Sequence, residues 1–232
     1  EPDYTAFLAS KRREWGGVGV LTPTEALPDG LYPFQARLTS WALRKGRAAL
    51  FTDTGTGKTR MQVAWAAQIP GRVLILAPLC VGHQTIEEAA RIGVKIGEHG
   101  SGSLIEITNY ERLHHVTPDD YAGVVLDESS ILKSFDGKTR TRLIAAFRDT
   151  PYRLCCTATP SPNDSAELAN HCEFLGIMTR AEMLATFFVH DEDGWRLKGH
   201  AHQAFYRWLA SWGMFMRRPS DLGFPDDGYA LP

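Results

Sequence analysis

The stretch that most constrains how this chain can fold is Leu50-Phe-Thr-Asp-Thr-Gly-Thr-Gly-Lys-Thr59. An apolar run stops abruptly at a glycine-rich turn carrying a lysine and a threonine. Glycine at 55 and 57 lets the backbone turn tightly and aim several N–H groups inward, and a helix beginning at Lys58 adds its positive N-terminus. Such a nest suits an anion. With a nucleotide as the anion, Thr54, Gly55, Thr56 and Gly57 wrap the phosphates. Lys58 reaches the β- and γ-phosphates, and the Thr59 hydroxyl ligates Mg²⁺. The usual phosphate-loop spacing, G-x-x-x-x-G-K-[ST], places glycine at position 52, where this chain has Thr52. Taken alone, the string also admits a glycine-rich surface turn.

The rest of the chain surrounds this turn with alternating strands and helices. Apolar, strand-like runs fall at 48–51, 73–77, 104–108, 123–126 and 152–157, and helical patterns at 58–68, 83–91 and 138–147. Strands apolar on both faces, alternating with helices, predict an α/β fold with a mainly parallel sheet covered on both sides. Ligands of such folds bind at the carboxyl ends of the strands, where the polar motifs of this chain lie. Upstream, 3–15 is expected to be a helix ending at Gly16-Gly17. A turn is expected at 27–30, then a helix from Pro33 to about residue 45 with Phe34, Leu38, Trp41 and Ala42 on one face. Downstream, 164–176 and 181–187 are expected to be helical, and 187–197 a hairpin around Asp193-Gly194. Residues 202–216 are expected to form one amphipathic helix whose Phe205, Trp208, Leu209, Trp212 and Phe215 pack into the core. This divides the chain into an N-terminal helix and connector (1–30), a nucleotide-binding core (31–160), and a C-terminal helix and hairpin part of the same lobe (161–232).

Two further motifs end strands. Gly123-Val-Val-Leu-Asp-Glu-Ser-Ser130 closes an apolar run with adjacent carboxylates, which is costly unless something needs charge there. Beside a phosphate loop, Asp127 would hold Mg²⁺ through water, and Glu128 would orient and deprotonate an attacking water. A strand running into a solvated acidic turn is the plainer reading. Arg153-Leu-Cys-Cys-Thr-Ala-Thr-Pro160 ends in small hydroxyls. Thr157 and Thr159 either bond the surroundings of Glu128, coupling them to the γ-phosphate, or cap the next helix.

In this order the motifs resemble the first RecA-like lobe of superfamily-two helicases and translocases, most closely the Swi/Snf-like branch, over nearly the whole chain. Leu31-Tyr-Pro-Phe-Gln35 is similar to the segment whose glutamine reads adenine, which gives that role to Gln35. Thr52 to Thr59 resembles motif I of that branch, where the first glycine is often missing. Val73-Leu-Ile-Leu-Ala-Pro-Leu79 resembles motif Ia, and Ile107-Thr-Asn-Tyr-Glu111 motif Ib. Asp127-Glu-Ser-Ser130 stands where the family writes DEAD or DEAH, a departure associated with phage-type relatives. Thr157-Ala-Thr-Pro160 resembles motif III, followed by Asn163 and Glu167-Leu168, and Arg217-Arg218 resembles the closing arginine pair.

The resemblance implies ATP and Mg²⁺ as ligands, with Glu128, Asp127 and Lys58 as the catalytic set. It implies nucleic acid as partner, DNA rather than RNA, with Pro78, His83, Gln84, Thr108, Asn109, Tyr110 and Lys133 as contacts made mostly to phosphates. Lys133, Lys138, Arg140 and Arg142 form a local basic run that is either a phosphate track or a solvated face. A second RecA-like lobe with its arginine fingers has no counterpart in the sequence, so the expectation is half of a motor. A nucleotide-dependent binding switch and the motor lobe of a restriction-type nuclease are the competing readings.

Bulk properties narrow the setting. A formal net charge of −2 over 232 residues excludes a uniformly basic nucleic-acid binder, though not one basic face. No apolar run approaches the roughly 20 residues that span a bilayer, and no signal peptide opens the chain. Cys80, Cys155, Cys156 and Cys172 have no C-x-x-C spacing, and Cys155 and Cys156, in an apolar run, read as buried reduced thiols of a cytosolic protein. A cytoplasmic monomer is expected, bacterial or, as the resemblance to phage-type relatives implies, in the host of a phage. The eight histidines match no zinc spacing. The chain opens at Glu1 without an initiator methionine, as a piece of a longer protein would.

Overall fold

The computed structural model describes residues 14–133, 137–161, 165–192 and 194–226. Its strands are β1 (Arg47–Thr52), β2 (Val73–Ala77), β3 (Gly97–Glu98), β4 (Ile105–Asn109), β5 (Gly123–Asp127), β6 (Tyr152–Cys156), β7 (Phe188–Asp191), β8 (Gly194–Leu197) and β9 (Gly213–Met216). Seven of them pair in parallel in the order β3-β4-β2-β5-β6-β1-β9. The helices are α1 (Pro33–Lys45), α2 (Lys58–Ala66), α3 (Gly82–Arg91), α4 (Gly137–Ala146), α5 (Leu168–Leu175), α6 (Arg180–Phe187) and α7 (His202–Ala210).

Successive strand residues point to opposite faces, so strands apolar at every position feed two cores. Leu50, Val73, Ile75, Val125, Leu154 and Cys156 pack with Phe34, Leu38, Met61, Trp65 and Ala89 from α1, α2 and α3. Ala49, Phe51, Leu74, Leu76, Val124, Leu126 and Cys155 pack with Leu143, Phe174, Phe205 and Trp208 from α4, α5 and α7. Each fully buried large aliphatic or aromatic side chain contributes roughly 1.5–3 kcal/mol. The two cores hold the sheet rigid between its helix layers, which fixes the strand ends relative to one another. Among the described residues no helix is long and apolar enough to cross a membrane.

Glu106 on β4 is a carboxylate whose side chain is wholly buried. Burial alone would raise its carboxyl. The Tyr121 hydroxyl, the Gly100 and Gly102 amides and the Arg72 guanidinium outweigh that and hold it at about 2. This carboxylate ties the β3–β4 loop to the start of β5.

The C-terminal aromatic stripe corrects the sequence reading. The helix over 202–216 stops at Ala210, and Gly213–Met216 continues as β9, in register with Ala49 to Thr52 of β1. The exposed edge of β1 decides this. Ala49 N–H donates to Trp212 O at 2.8 Å and Asp53 N–H to Met216 O at 3.0 Å, bonds that a continued helix would leave unmade. Trp212 stays in the core, whereas Phe215 is exposed. The two-residue β3 was also absent from the expectation. The hairpin forms as β7 and β8, with Asp193 outside the described residues. Asn163, Asp164 and residues 3–13 of the expected N-terminal helix lie outside them too. Trp15 is not helical; its backbone N–H donates to Ser211 Oγ at 2.8 Å and its indole to Lys45 O at 3.1 Å.

Candidate nucleotide site and the adjoining groove

Strand order brings the three motifs together. β5, β6 and β1 are consecutive in the sheet, so Asp127-Glu128, Thr157 and the glycine-rich turn leave neighbouring carboxyl ends. The two outer members are roughly 10 Å apart, two strand spacings.

The turn is held from inside. Gly55 and Gly57 adopt φ of 76° and 78°, left-handed values that favour glycine. A Cβ on Gly57 would lie 2.2 Å from Gln35 Nε2, because Gln35 is packed against the turn. Its Nε2 donates to Thr56 O at 2.9 Å, and its Oε1 accepts from Tyr32 N–H at 3.0 Å. The amide keeps one N–H and one lone pair beyond these bonds. Thr56 Oγ1 donates to Asp53 O at 2.8 Å and lies 2.8 Å from Thr52 Oγ1, so Thr52 serves the loop through its hydroxyl. Lys58 Nζ donates to the carbonyls of Thr52 and Asp53 at 3.0 and 2.9 Å. Thr59 is half-buried in the first turn of α2, whose leading N–H groups have no intrahelical acceptor.

The acidic pair is held from both sides. Glu128 sits at φ 54°, the single non-glycine positive φ among the described residues, a conformation costing about 1–2 kcal/mol. Two hydroxyls donate to the same carboxylate oxygen, Oε1: Thr157 Oγ1 at 2.5 Å and Ser130 Oγ at 2.6 Å. Thr159 reaches the group through its backbone N–H, which donates to Thr157 Oγ1 at 3.1 Å. Asp127 is anchored by Tyr110, whose hydroxyl donates to its carbonyl at 2.7 Å, and by Gln62, whose Nε2 donates to Oδ1 at 2.7 Å. Burial pushes the Asp127 carboxyl above the ordinary range; repulsion from Glu128 adds to this, and the Gln62 amide opposes it. A cation beside Asp127 would relieve that cost, and Thr59 and Asp127 offer the oxygen ligands Mg²⁺ takes.

Behind the pair, Ser129 is buried and its Oγ lies 3.1 Å from His171 Nε2 on α5. Burial, with Lys133 nearby, pushes His171 down to about 3, so the ring is neutral. It meets Phe51 of β1 edge-on at 5.3 Å. Burial likewise raises the thiols of Cys155 and Cys156, which stay protonated as core residues.

The expected nucleic-acid residues divide. Pro78, His83, Thr108 and Asn109 line one groove of about 350 Å³ beyond β2 and β4, together with Leu79, Ile86 and Arg112. Gln84 is exposed on α3 but does not line it. Tyr110 does not line the groove: it is buried, and its hydroxyl donates to the Asp127 carbonyl. Lys133 lies away from this groove, and its ammonium donates to Thr159 O. In the basic run, Arg140 bonds Asn170 Oδ1 at 3.4 Å, and Arg142 is exposed. Sequence reasoning passed over Gln62, His171 and Arg112. Gln62 alone carried a signal, since i, i+3 spacing sets it on the face of α2 that holds Thr59.

No protein-family model matches the chain, and no curated protein matches it. Solved structures do. A Sulfolobus solfataricus SWI2/SNF2 ATPase core in complex with double-stranded DNA superposes with a TM-score of 0.70 at 19% identity, covering 89% of this chain and 48% of that one. The UvsW helicase of bacteriophage T4 matches at TM-score 0.51 and 14% identity, covering 76% and 65%. The Pyrococcus furiosus Hef helicase domain matches at 0.50 and 16%, covering 62% and 36%. The chain therefore shares the RecA-like fold of these ATPase and helicase cores, and it spans about half the length of the Sulfolobus core.

Proposed function

We propose that this chain is the ATP-binding lobe of an ATP-dependent DNA translocase or helicase, hydrolysing ATP with Mg²⁺ when joined to a second RecA-like lobe. One observation carries the reading: a left-handed Glu128 whose Oε1 is saturated by Thr157 and Ser130, set beside Asp127 and two strand spacings from the phosphate turn.

The roles follow from that geometry. The amides from Thr54 to Thr59 and the α2 N-terminus bind the phosphates, and Lys58 leaves the Thr52 and Asp53 carbonyls to pair with them. Mg²⁺, held by Thr59 and by Asp127 through water, supplies charge neutralisation at the phosphates. With Oε1 occupied by two donors, Oε2 of Glu128 accepts the proton of the attacking water. Gln35, fixed on the turn, faces the base with its remaining donor and acceptor. Thr157 passes the state of Glu128 to Thr159 and hence to Lys133. A locked base serves hydrolysis, which favours a motor over a nucleotide-dependent switch.

The groove beyond β2 and β4 is the proposed DNA contact. Arg112, His83, Asn109 and Thr108 face it, and the Sulfolobus core was solved on a duplex. Its contacts read phosphates, so affinity falls with salt and carries little sequence preference.

A steady-state ATPase assay with duplex DNA, single-stranded DNA and RNA tests the reading. This lobe alone turns over slowly, because it lacks the transition-state charge a second lobe brings, a contribution of about 10³–10⁵-fold in related chemistry. Rapid, DNA-stimulated turnover by residues 1–232 would overturn the half-motor assignment.

A further inference from the structure

Gln62 lies one turn beyond Thr59 on α2 and is wholly buried. Its Nε2 donates to Asp127 Oδ1 at 2.7 Å. A carboxylate only accepts, so this bond fixes which end of the amide faces Asp127. Oε1 is thereby left inside the protein without a hydrogen-bond partner among the described residues. Cys156, paired with Asp127 across β5 and β6, is a second hydrogen-bond partner of the amide. A side chain that merely filled this space would be apolar, since a buried acceptor without a donor is costly. The amide stands here at that cost, and the one charged group it bonds is Asp127.

We propose that Gln62 is a positioning residue for the Mg²⁺ carboxylate. By occupying Oδ1 it sets the rotation of the Asp127 side chain and turns Oδ2 to the water shell of the metal, while Tyr110 fixes the main chain behind it. Thr59 and Gln62 then act from one face of one helix, Thr59 on the metal and Gln62 on the carboxylate that shares it. Outer partners of this kind typically change metal affinity about 10- to 100-fold when removed. The inference rests on the Mg²⁺-nucleotide reading above.

The test is equilibrium binding of a fluorescent ATP analogue, measured in Mg²⁺ and again in excess EDTA. Wild type binds more tightly in Mg²⁺. Gln62→Met, which keeps the volume and removes the amide, is expected to cut that Mg²⁺ advantage about tenfold and leave the affinity in EDTA unchanged. Asp127→Asn is expected to lose the same advantage, and a melting curve on each variant reports folding. If Gln62→Met does not fold, Gln62→Asn decides, since its amide is one methylene too short to reach Asp127. A full Mg²⁺ advantage in a folded Gln62 variant would overturn the assignment. A wild type that binds equally with and without Mg²⁺ would overturn the metal reading beneath it, a different outcome.

Discussion

Glu128 holds an unfavourable backbone conformation because two short hydroxyl bonds from different strand ends converge on one of its oxygens. Charge-assisted bonds of this kind are worth about 1.5–3 kcal/mol, and that energy restrains the carboxylate in one orientation. Ser130→Ala and Thr157→Val should each slow ATP turnover about tenfold with nucleotide affinity unchanged, and the double variant should lose less than the product, since both act on one atom. Unchanged turnover in both single variants would remove the positioning role. Glu106 makes a separate prediction. Its carboxyl falls from an ordinary 4.5 to about 2 in the fold, a depressed value, so its contribution is complete above pH 4.5 and is lost as pH falls towards 2. The stability gap between wild type and Glu106→Gln, read by urea unfolding, should close by about 3 kcal/mol between pH 5 and pH 2. A gap independent of pH would show the carboxylate network to be unimportant. Residues such as Asp127, Glu128 and Thr157 were legible because each ends an apolar strand within a local motif. For Gln62 only the helix face it shares with Thr59 was legible; its partner lies 65 residues away, and the fold brings the two together.

At the scale of elements, alternation of apolar runs and helical patterns identified the five central strands because each is buried on both faces. It failed at the two ends of the sheet for different reasons. β3 has two residues, too few for any period, and it exists because β4 has an edge to pair. β9 extends an aromatic series whose spacing, from Phe205 through Trp212 to Phe215, fits a helix as well as a strand. The choice was made by the unpaired edge of β1, a partner about 160 residues upstream in sequence. Trp212 sits at this junction, wholly buried against Phe51 and Trp208. Trp212→Ala should destabilise the chain by about 3–5 kcal/mol in denaturant unfolding, by removing core volume and loosening β9. A loss under about 1 kcal/mol would mean that β9 is not part of the cooperative core.

For the whole molecule, one sheet carries two adjoining candidate sites on a single edge. The phosphate turn, the acidic pair and Thr157 occupy the ends of β1, β5 and β6, and the proposed DNA groove occupies those of β2 and β4. Strand β2 pairs directly with β5, so a change at Asp127 is one strand from the groove. The Tyr110 bond to Asp127 crosses that boundary from the segment that follows β4. The proposed coupling of nucleotide to DNA thus has a short physical route inside one lobe, and the second lobe is assigned the charge and closure that speed turnover. Everything in this account depends on the turn at 52–59 holding ATP with Mg²⁺. The most direct measurement is equilibrium binding of ATP–Mg²⁺ to wild type and to Lys58→Ala, by calorimetry at matched salt. The account predicts measurable binding by wild type and a loss of at least about 100-fold in the variant, since the phosphates lose the one cationic side chain of the turn. Equal affinity in the two proteins would contradict it.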